Sequence, residues 1–79
     1  MKDKLQISLV GVGRVATSHF EAIADLQDRV ELAAIVSRDP IKGKVAAEQH
    51  GARRVYTEYE AMLADRNIDA VILCLPHFL

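Results

Sequence analysis

Residues 5–16 read LQISLVGVGRVA, and the class of fold can be inferred from this segment. Its first half, 5–10, is a short apolar run typical of a β-strand. Its second half is G-x-G-x-x-A: Gly11 permits a sharp turn out of the strand, Gly13 leaves room beside the backbone, and Ala16 lets a helix pack closely. A strand, a glycine-rich turn and a helix in this order indicate the start of a β-α-β unit.

The rest of the chain continues this alternation. After the first strand, the apolar runs and capping residues predict a helix from Arg14 to about Leu26, a strand at 31–36, a helix from Pro40 to His50, a strand at 54–56, a helix from about 57 to 65, and a strand at 70–75. The order β-α-β-α-β-α-β is typical of an α/β fold with a parallel sheet. We interpret it as a partial Rossmann-type sheet, the first half of a doubly wound domain.

Local sequence patterns predict one helix face, one helix start and the position of the last strand. In the first helix, His19, Ile23 and Leu26 share one face with Val15. Thr57-Glu58-Tyr59-Glu60 has the spacing of a capping box and predicts a helix opening at Thr57. The last strand is apolar on both faces, which predicts a central strand covered by helices on each side.

The amino-acid composition indicates a globular protein and limits the partners that the chain is expected to bind. The 79 residues are 51% hydrophobic and 27% charged with a formal net charge of −1, which is a globular balance without a basic patch. We therefore expect no nucleic-acid and no membrane partner. The single cysteine, Cys74, excludes an intrachain disulfide and a Cys/His metal cluster, and its apolar surroundings predict an inert buried thiol in a cytoplasmic protein.

The glycine motif predicts a phosphate site. The free N–H groups at a helix start attract anions, so the pyrophosphate of a dinucleotide is expected at Gly11, Val12, Gly13, Arg14 and Val15. A simple turn would also use two glycines. The motif's place between a first strand and a helix favours dinucleotide binding.

The end of the second strand bears on the choice of cofactor. In this architecture it meets the adenosine ribose, and here it carries Ser37, Arg38 and Asp39. Arg38 favours the 2′-phosphate of NADP over NAD. Asp39 would favour NAD if it turned toward the ribose, but its Asp-Pro context favours capping of the next helix.

Three segments together resemble one known family: GVGRVATSHFEAI, AAIVSRDPIKGKVAAEQHG and YTEYEAMLADRNIDAVILCLPHFL. They are similar to the front of Gfo/Idh/MocA oxidoreductases, over residues 5–79. The resemblance implies an NAD(P)-dependent oxidoreductase that transfers hydride between the nicotinamide and a sugar, polyol or related small substrate. It also implies that residues 1–79 are an incomplete dinucleotide-binding domain, without the substrate domain. We expect the intact protein to be a homo-oligomer.

By the same resemblance, Cys74, Leu75, Pro76 and His77 match the segment that runs beside the cofactor. The family commonly has Thr-Pro-Asn where this chain has Leu75-Pro76-His77, so a side-chain hydrogen bond from Leu75 is not expected. The family's Glu-Lys-Pro motif is absent from these residues, and no catalytic residue is assigned. Two other interpretations stay open: a dinucleotide-sensing module without catalysis, and a methyltransferase with a similar glycine loop.

Overall fold

The structure, a computed structural model, describes residues 4–11 and 16–74. Within these ranges the elements follow in the order β1 (Leu5–Val10), α1 (Ala16–Asp25), β2 (Val30–Val36), α2 (Pro40–His50), β3 (Arg54–Tyr56), α3 (Tyr59–Leu63) and β4 (Ala70–Leu73). This alternation confirms the predicted α/β class and the predicted order of elements.

The described strands form one parallel sheet in the order β3-β2-β1-β4. The chain runs from β1 outward through β2 to β3, and then returns to the other side of β1 as β4. The order of strands therefore reverses between β1 and β4, which is the switch point of a doubly wound sheet. Because the strands are parallel, all four carboxyl ends meet at one edge.

Helices cover both faces of the sheet. On one face α1 and α2 pack against the strands in a core of Ile7, Leu9, Phe20, Ile23, Leu32, Ile35, Ala46, Ala47 and Cys74. On the other face Met62 of α3 packs against Val10 and Val36. The rings of Phe20 in α1 and His50 at the end of α2 stack with centroids 3.7 Å apart, so this contact joins the two helices.

The α2 and α3 helices differ in how they begin. Asp39 caps α2, because its Oδ1 accepts hydrogen bonds from the N–H groups of Ile41 and Lys42 at 3.0 and 3.2 Å. The α2 helix ends at Gly51, which has a positive φ of 81°. The prediction of a capping box at Thr57 is wrong: the N-cap of α3 is Glu58, whose side chain makes no capping hydrogen bond.

One prediction about a buried face is also corrected. Leu26 is 50% exposed, because α1 ends at Asp25 and the chain turns away from the helical path. Among the described residues the last strand ends at Leu73 and pairs with β1 on one side, and Leu73 is 57% exposed. The central position of this strand concerns a complete domain and stays a prediction.

One polar cluster fixes the connection between α3 and β4. The Asp65 carboxylate accepts hydrogen bonds from the Tyr56 hydroxyl at 2.7 Å, the Arg54 guanidinium at 2.6 Å and the N–H of Asn67 at 2.9 Å. The hydrogen bond from Tyr56, followed by that from Asn67, holds the pKa of Asp65 below its ordinary value. The same bond to Asp65 raises the pKa of Tyr56.

A search of the described helices finds none with the length and apolar character needed to span a bilayer.

Candidate functional site

The carboxyl edge of the sheet brings together four residues predicted from the sequence as site residues. Backbone hydrogen bonds extend the strand pairing past the strand ends: the Gly11 N–H donates to the Val36 carbonyl at 2.9 Å, and the Cys74 N–H donates to the Val10 carbonyl at 2.8 Å. Ser37 is tied to β3 in the same way, through its N–H and the Tyr56 carbonyl at 2.9 Å. Gly11, Ser37, Arg38 and Cys74 thus follow three adjacent strands at one edge.

Gly11, the first residue after β1, lies close to Cys74, the first residue after β4. Its φ is +94°, and a Cβ built on it would lie 2.6 Å from the carbonyl oxygen of Cys74. Both observations require glycine, since this backbone conformation is strained for other residues and the contact is with backbone. The crevice outside the ends of β1 and β4 is where doubly wound sheets bind their ligands.

The turn after β2 commits two of its three side chains to internal contacts. Ser37 is buried at 7% exposure, and its hydroxyl donates to the Asp39 carbonyl at 2.9 Å. Asp39 accepts from the first turn of α2, as its predicted capping role requires. Arg38, between them, is exposed and has no hydrogen bond or ion pair within the described ranges.

Gly43 places α2 against the sheet beside this turn, and sequence reasoning missed its role. A Cβ at Gly43 would lie 2.8 Å from Cγ1 of Val55 and 3.1 Å from Cβ of Ser37. The helix therefore approaches β2 and β3 closely enough to bury Ser37. A glycine within a helix costs about 1 kcal/mol of stability relative to alanine. A glycine at this position could therefore have indicated, from the sequence alone, that the helix packs closely here.

An open cavity of about 590 Å³ adjoins the exposed side chain of Arg38. Its lining consists of Arg38, Pro40, Thr57 and Glu58. Thr57 and Glu58 were not predicted as site residues; they follow β3 as Arg38 follows β2. The rule that carboxyl ends of neighbouring parallel strands share one edge could have identified them. The cavity thus joins a cation and a carboxylate from two adjacent strands.

Cys74 is buried at 7% exposure, and burial raises the pKa of its thiol. A protonated thiol is a poor nucleophile, so its structural contribution here is the backbone carbonyl that faces Gly11. The other predicted site residues, Val12, Gly13, Arg14, Val15, Leu75, Pro76 and His77, lie outside the described residues.

Comparison with known proteins agrees with this geometry. Residues 5–79 match the model of the GFO_IDH_MocA family, an oxidoreductase family with an NAD-binding Rossmann fold. Among solved structures, the WlbA dehydrogenase of Chromobacterium violaceum, in complex with NADH and UDP-GlcNAcA, is 40% identical. It superposes with a TM-score of 0.86 over 95% of this chain and 21% of its own chain.

Two curated relatives carry named activities. A 4-carboxy-2-hydroxymuconate-6-semialdehyde dehydrogenase from Sphingobium sp. is 33% identical, over 91% of this chain and 22% of its own length. A D-xylose 1-dehydrogenase (NADP(+)) from Haloferax volcanii is 45% identical, over 60% of this chain and 14% of its own length. The chain thus spans about a fifth or less of the length of these relatives.

Proposed function

Because the chain belongs to the Gfo/Idh/MocA oxidoreductase family, with its NAD-binding Rossmann fold, we propose that it forms the first part of the dinucleotide-binding domain of an NAD(P)-dependent oxidoreductase. The intact protein transfers hydride between the nicotinamide and a sugar, polyol or related small substrate. The remainder of that domain and the substrate domain are contributed by further chain, in line with the greater length of the relatives.

The observation that carries the proposal is the position of Gly11 directly after β1, at the point where the order of strands in the sheet reverses. A Cβ at Gly11 would lie 2.6 Å from the carbonyl oxygen of Cys74, so glycine is needed for the chain to turn out of β1 beside the residue that follows β4. The first glycine of the G-x-G-x-x-A motif makes this tight turn in dinucleotide-binding domains, and the switch point is where they bind the cofactor, so the arrangement fits a dinucleotide. The bound nicotinamide would supply a hydride acceptor or donor; Gly11 and its neighbours in the glycine motif would bind the phosphates.

The adenosine end of the dinucleotide belongs at the turn after β2. Arg38 is available there, whereas the Asp39 carboxylate is used by α2. A free guanidinium at the end of β2 supports NADP as the preferred cofactor, with NAD also bound. Relatives provide precedent for both, since one is named for NADP(+) and another contains NADH.

Direct titration tests the proposal. We expect saturable binding of NADPH and NADH to the intact protein, followed by calorimetry and by competition with ADP-ribose. Gly11→Val should abolish binding of both, while Gly51→Ala, which changes a glycine with no atom within 4 Å of its Cβ position, should leave it intact. A folded wild-type intact protein that binds neither dinucleotide would refute the proposal.

Turnover requires the longer protein. Reduction of NADP⁺ or NAD⁺ by a sugar or polyol, followed at the absorbance of the reduced nicotinamide, is the expected activity. Binding without turnover across a broad panel of such substrates would instead support a sensing module.

A further inference from the structure

Two carboxylates lie near the turn after β2, and the structure uses them differently. Asp39 accepts two hydrogen bonds from the N–H groups that open α2. Glu58 occupies the equivalent position before α3, but its side chain makes no hydrogen bond to that helix. Glu58 is also exposed, so its carboxylate is available to a ligand.

Glu58 and Arg38 line the same cavity without pairing with each other. Neither side chain has a hydrogen bond or an ion pair in the part of the chain that the structure describes. A cation and an anion on adjacent strand ends therefore both face the space into which the turn after β2 opens. Any group that enters this space meets both charges.

We propose that Glu58 is a specificity-determining residue that acts against Arg38 in the choice between NAD and NADP. This inference rests on the proposed function, which brings the adenosine ribose to this cavity. The Glu58 carboxylate accepts a hydrogen bond from the ribose 2′-hydroxyl of NAD and repels the 2′-phosphate of NADP. Arg38 has the opposite preference, because its guanidinium pairs with the phosphate.

The chemistry explains why this acid lies on the third strand end. An acidic residue at the second strand end accepts hydrogen bonds from the ribose in NAD-binding Rossmann domains. Here that position is Ser37, whose hydroxyl donates to the Asp39 carbonyl. Glu58 supplies the missing carboxylate from the neighbouring strand, across the cavity from Arg38. Cofactor choice is therefore a balance between two side chains on different strands.

The size of the effect follows from charge and distance. A phosphomonoester carries about −1.5 to −2 charges at neutral pH. Repulsion of this group by one carboxylate at about 5 Å in water corresponds to about a tenfold change in affinity. Salt screens it only partly, since the Debye length is about 8 Å at physiological ionic strength.

The test compares two ligand pairs on the intact protein: NADP⁺ with NAD⁺, and adenosine 2′,5′-bisphosphate with 5′-AMP. The second pair reports on the adenosine end alone. Glu58→Gln should raise the ratio of 2′-phosphorylated to unphosphorylated affinity about tenfold. Arg38→Ala should lower it by a similar factor, and the double variant should return near the wild-type ratio. Circular dichroism checks that each variant is folded.

A matched control separates a local contact from a general change in charge. Glu60 is also exposed and lies two residues further along, but it does not line the cavity. Glu60→Gln removes the same charge and should change the ratio less than twofold. An unchanged affinity ratio in Glu58→Gln, or an equal change of that ratio in Glu60→Gln, would overturn this inference. Binding of both dinucleotides in the same experiment would still support the proposed function. Absence of binding to the wild-type chain would instead overturn both.

Discussion

Replacing Gly11 with alanine measures the backbone approach on which the candidate site depends. At φ +94° an alanine costs about 1–2 kcal/mol of conformational strain. Its Cβ would overlap the Cys74 carbonyl oxygen at 2.6 Å, so the end of β4 must move. This movement weakens the 2.8 Å hydrogen bond from the Cys74 N–H to the Val10 carbonyl, which contributes about 1 kcal/mol. Overpacking adds about 1–3 kcal/mol.

The reduced entropy of the unfolded alanine chain offsets about 0.4–1 kcal/mol of this cost. We therefore expect Gly11→Ala to lower the free energy of unfolding by about 2–5 kcal/mol, out of roughly 4–12 kcal/mol for a chain of this size. Urea denaturation followed by circular dichroism measures the change. With a denaturant slope of about 1 kcal/mol/M, the midpoint should fall by about 2 M or more.

Gly51→Ala is the matched control for this experiment. Gly51 has a similar φ, +81°, but no atom lies within 4 Å of its Cβ position. It bears the conformational cost without the overlap, so we expect a loss of about 1 kcal/mol. The difference between the two variants isolates the contact with Cys74. If Gly11→Ala destabilises the chain no more than Gly51→Ala does, the inferred approach of β1 and β4 is wrong.

Further changes test the packing and polar contacts around the sheet. Ser8→Ala should raise the free energy of unfolding by about 1 kcal/mol, seen as a higher urea midpoint, because the buried Ser8 hydroxyl has no partner among the described residues. A lower urea midpoint would contradict this. Met62→Ala should cost about 2–5 kcal/mol in thermal unfolding, since Met62 is fully buried and anchors α3; a loss within error of zero would refute that role. The lowered pKa of Asp65 means that its ionised carboxylate stabilises the fold above its ordinary pKa, and that this stabilisation is lost as the pH falls through the lowered value. Tyr56→Phe should move the pKa of Asp65 upward in an NMR titration and start acid unfolding at higher pH. An unchanged pKa would exclude the hydrogen bond from Tyr56 as the main cause of the shift. The 79-residue chain should self-associate, because Leu73 is exposed and β4 lies at an edge of the described sheet. Leu73→Lys should reduce this association. A monomeric wild-type profile in analytical ultracentrifugation at high concentration would refute the prediction.

Much of the fold could be predicted because its determinants are local in sequence. Alternating apolar runs and helix-ending residues identified the order of strands and helices, and Gly51 ended α2 where expected. The Asp39 cap was predictable for the same reason, since its hydrogen bonds span two and three residues. The capping box at Thr57 failed because Tyr56 is still held in the sheet by the Ser37 N–H, and Glu58 is the extended residue that directly precedes α3.

The candidate site was predictable only in part, because its contacts join residues distant in sequence. Motif reasoning found Gly11 and Arg38, which lie one residue after β1 and two residues after β2. It missed Gly43, whose role depends on Val55 and Ser37, and it missed Glu58, which shares a cavity with Arg38 although 20 positions (58 − 38) separate them. Such contacts depend on strand order, which local patterns do not specify.

The two ends of this edge should respond differently to substitution. Gly11 acts through the backbone turn at the phosphate end of the site, which both dinucleotides share, so Gly11→Ala should weaken NAD and NADP by the same factor. Arg38 and Glu58 act through charge at the one position where the dinucleotides differ, so their substitution should change the ratio of affinities. A Gly11→Ala variant that remained folded and changed the ratio would mean that the phosphate crevice and the adenosine cavity are coupled, contrary to the separate contacts that the structure shows.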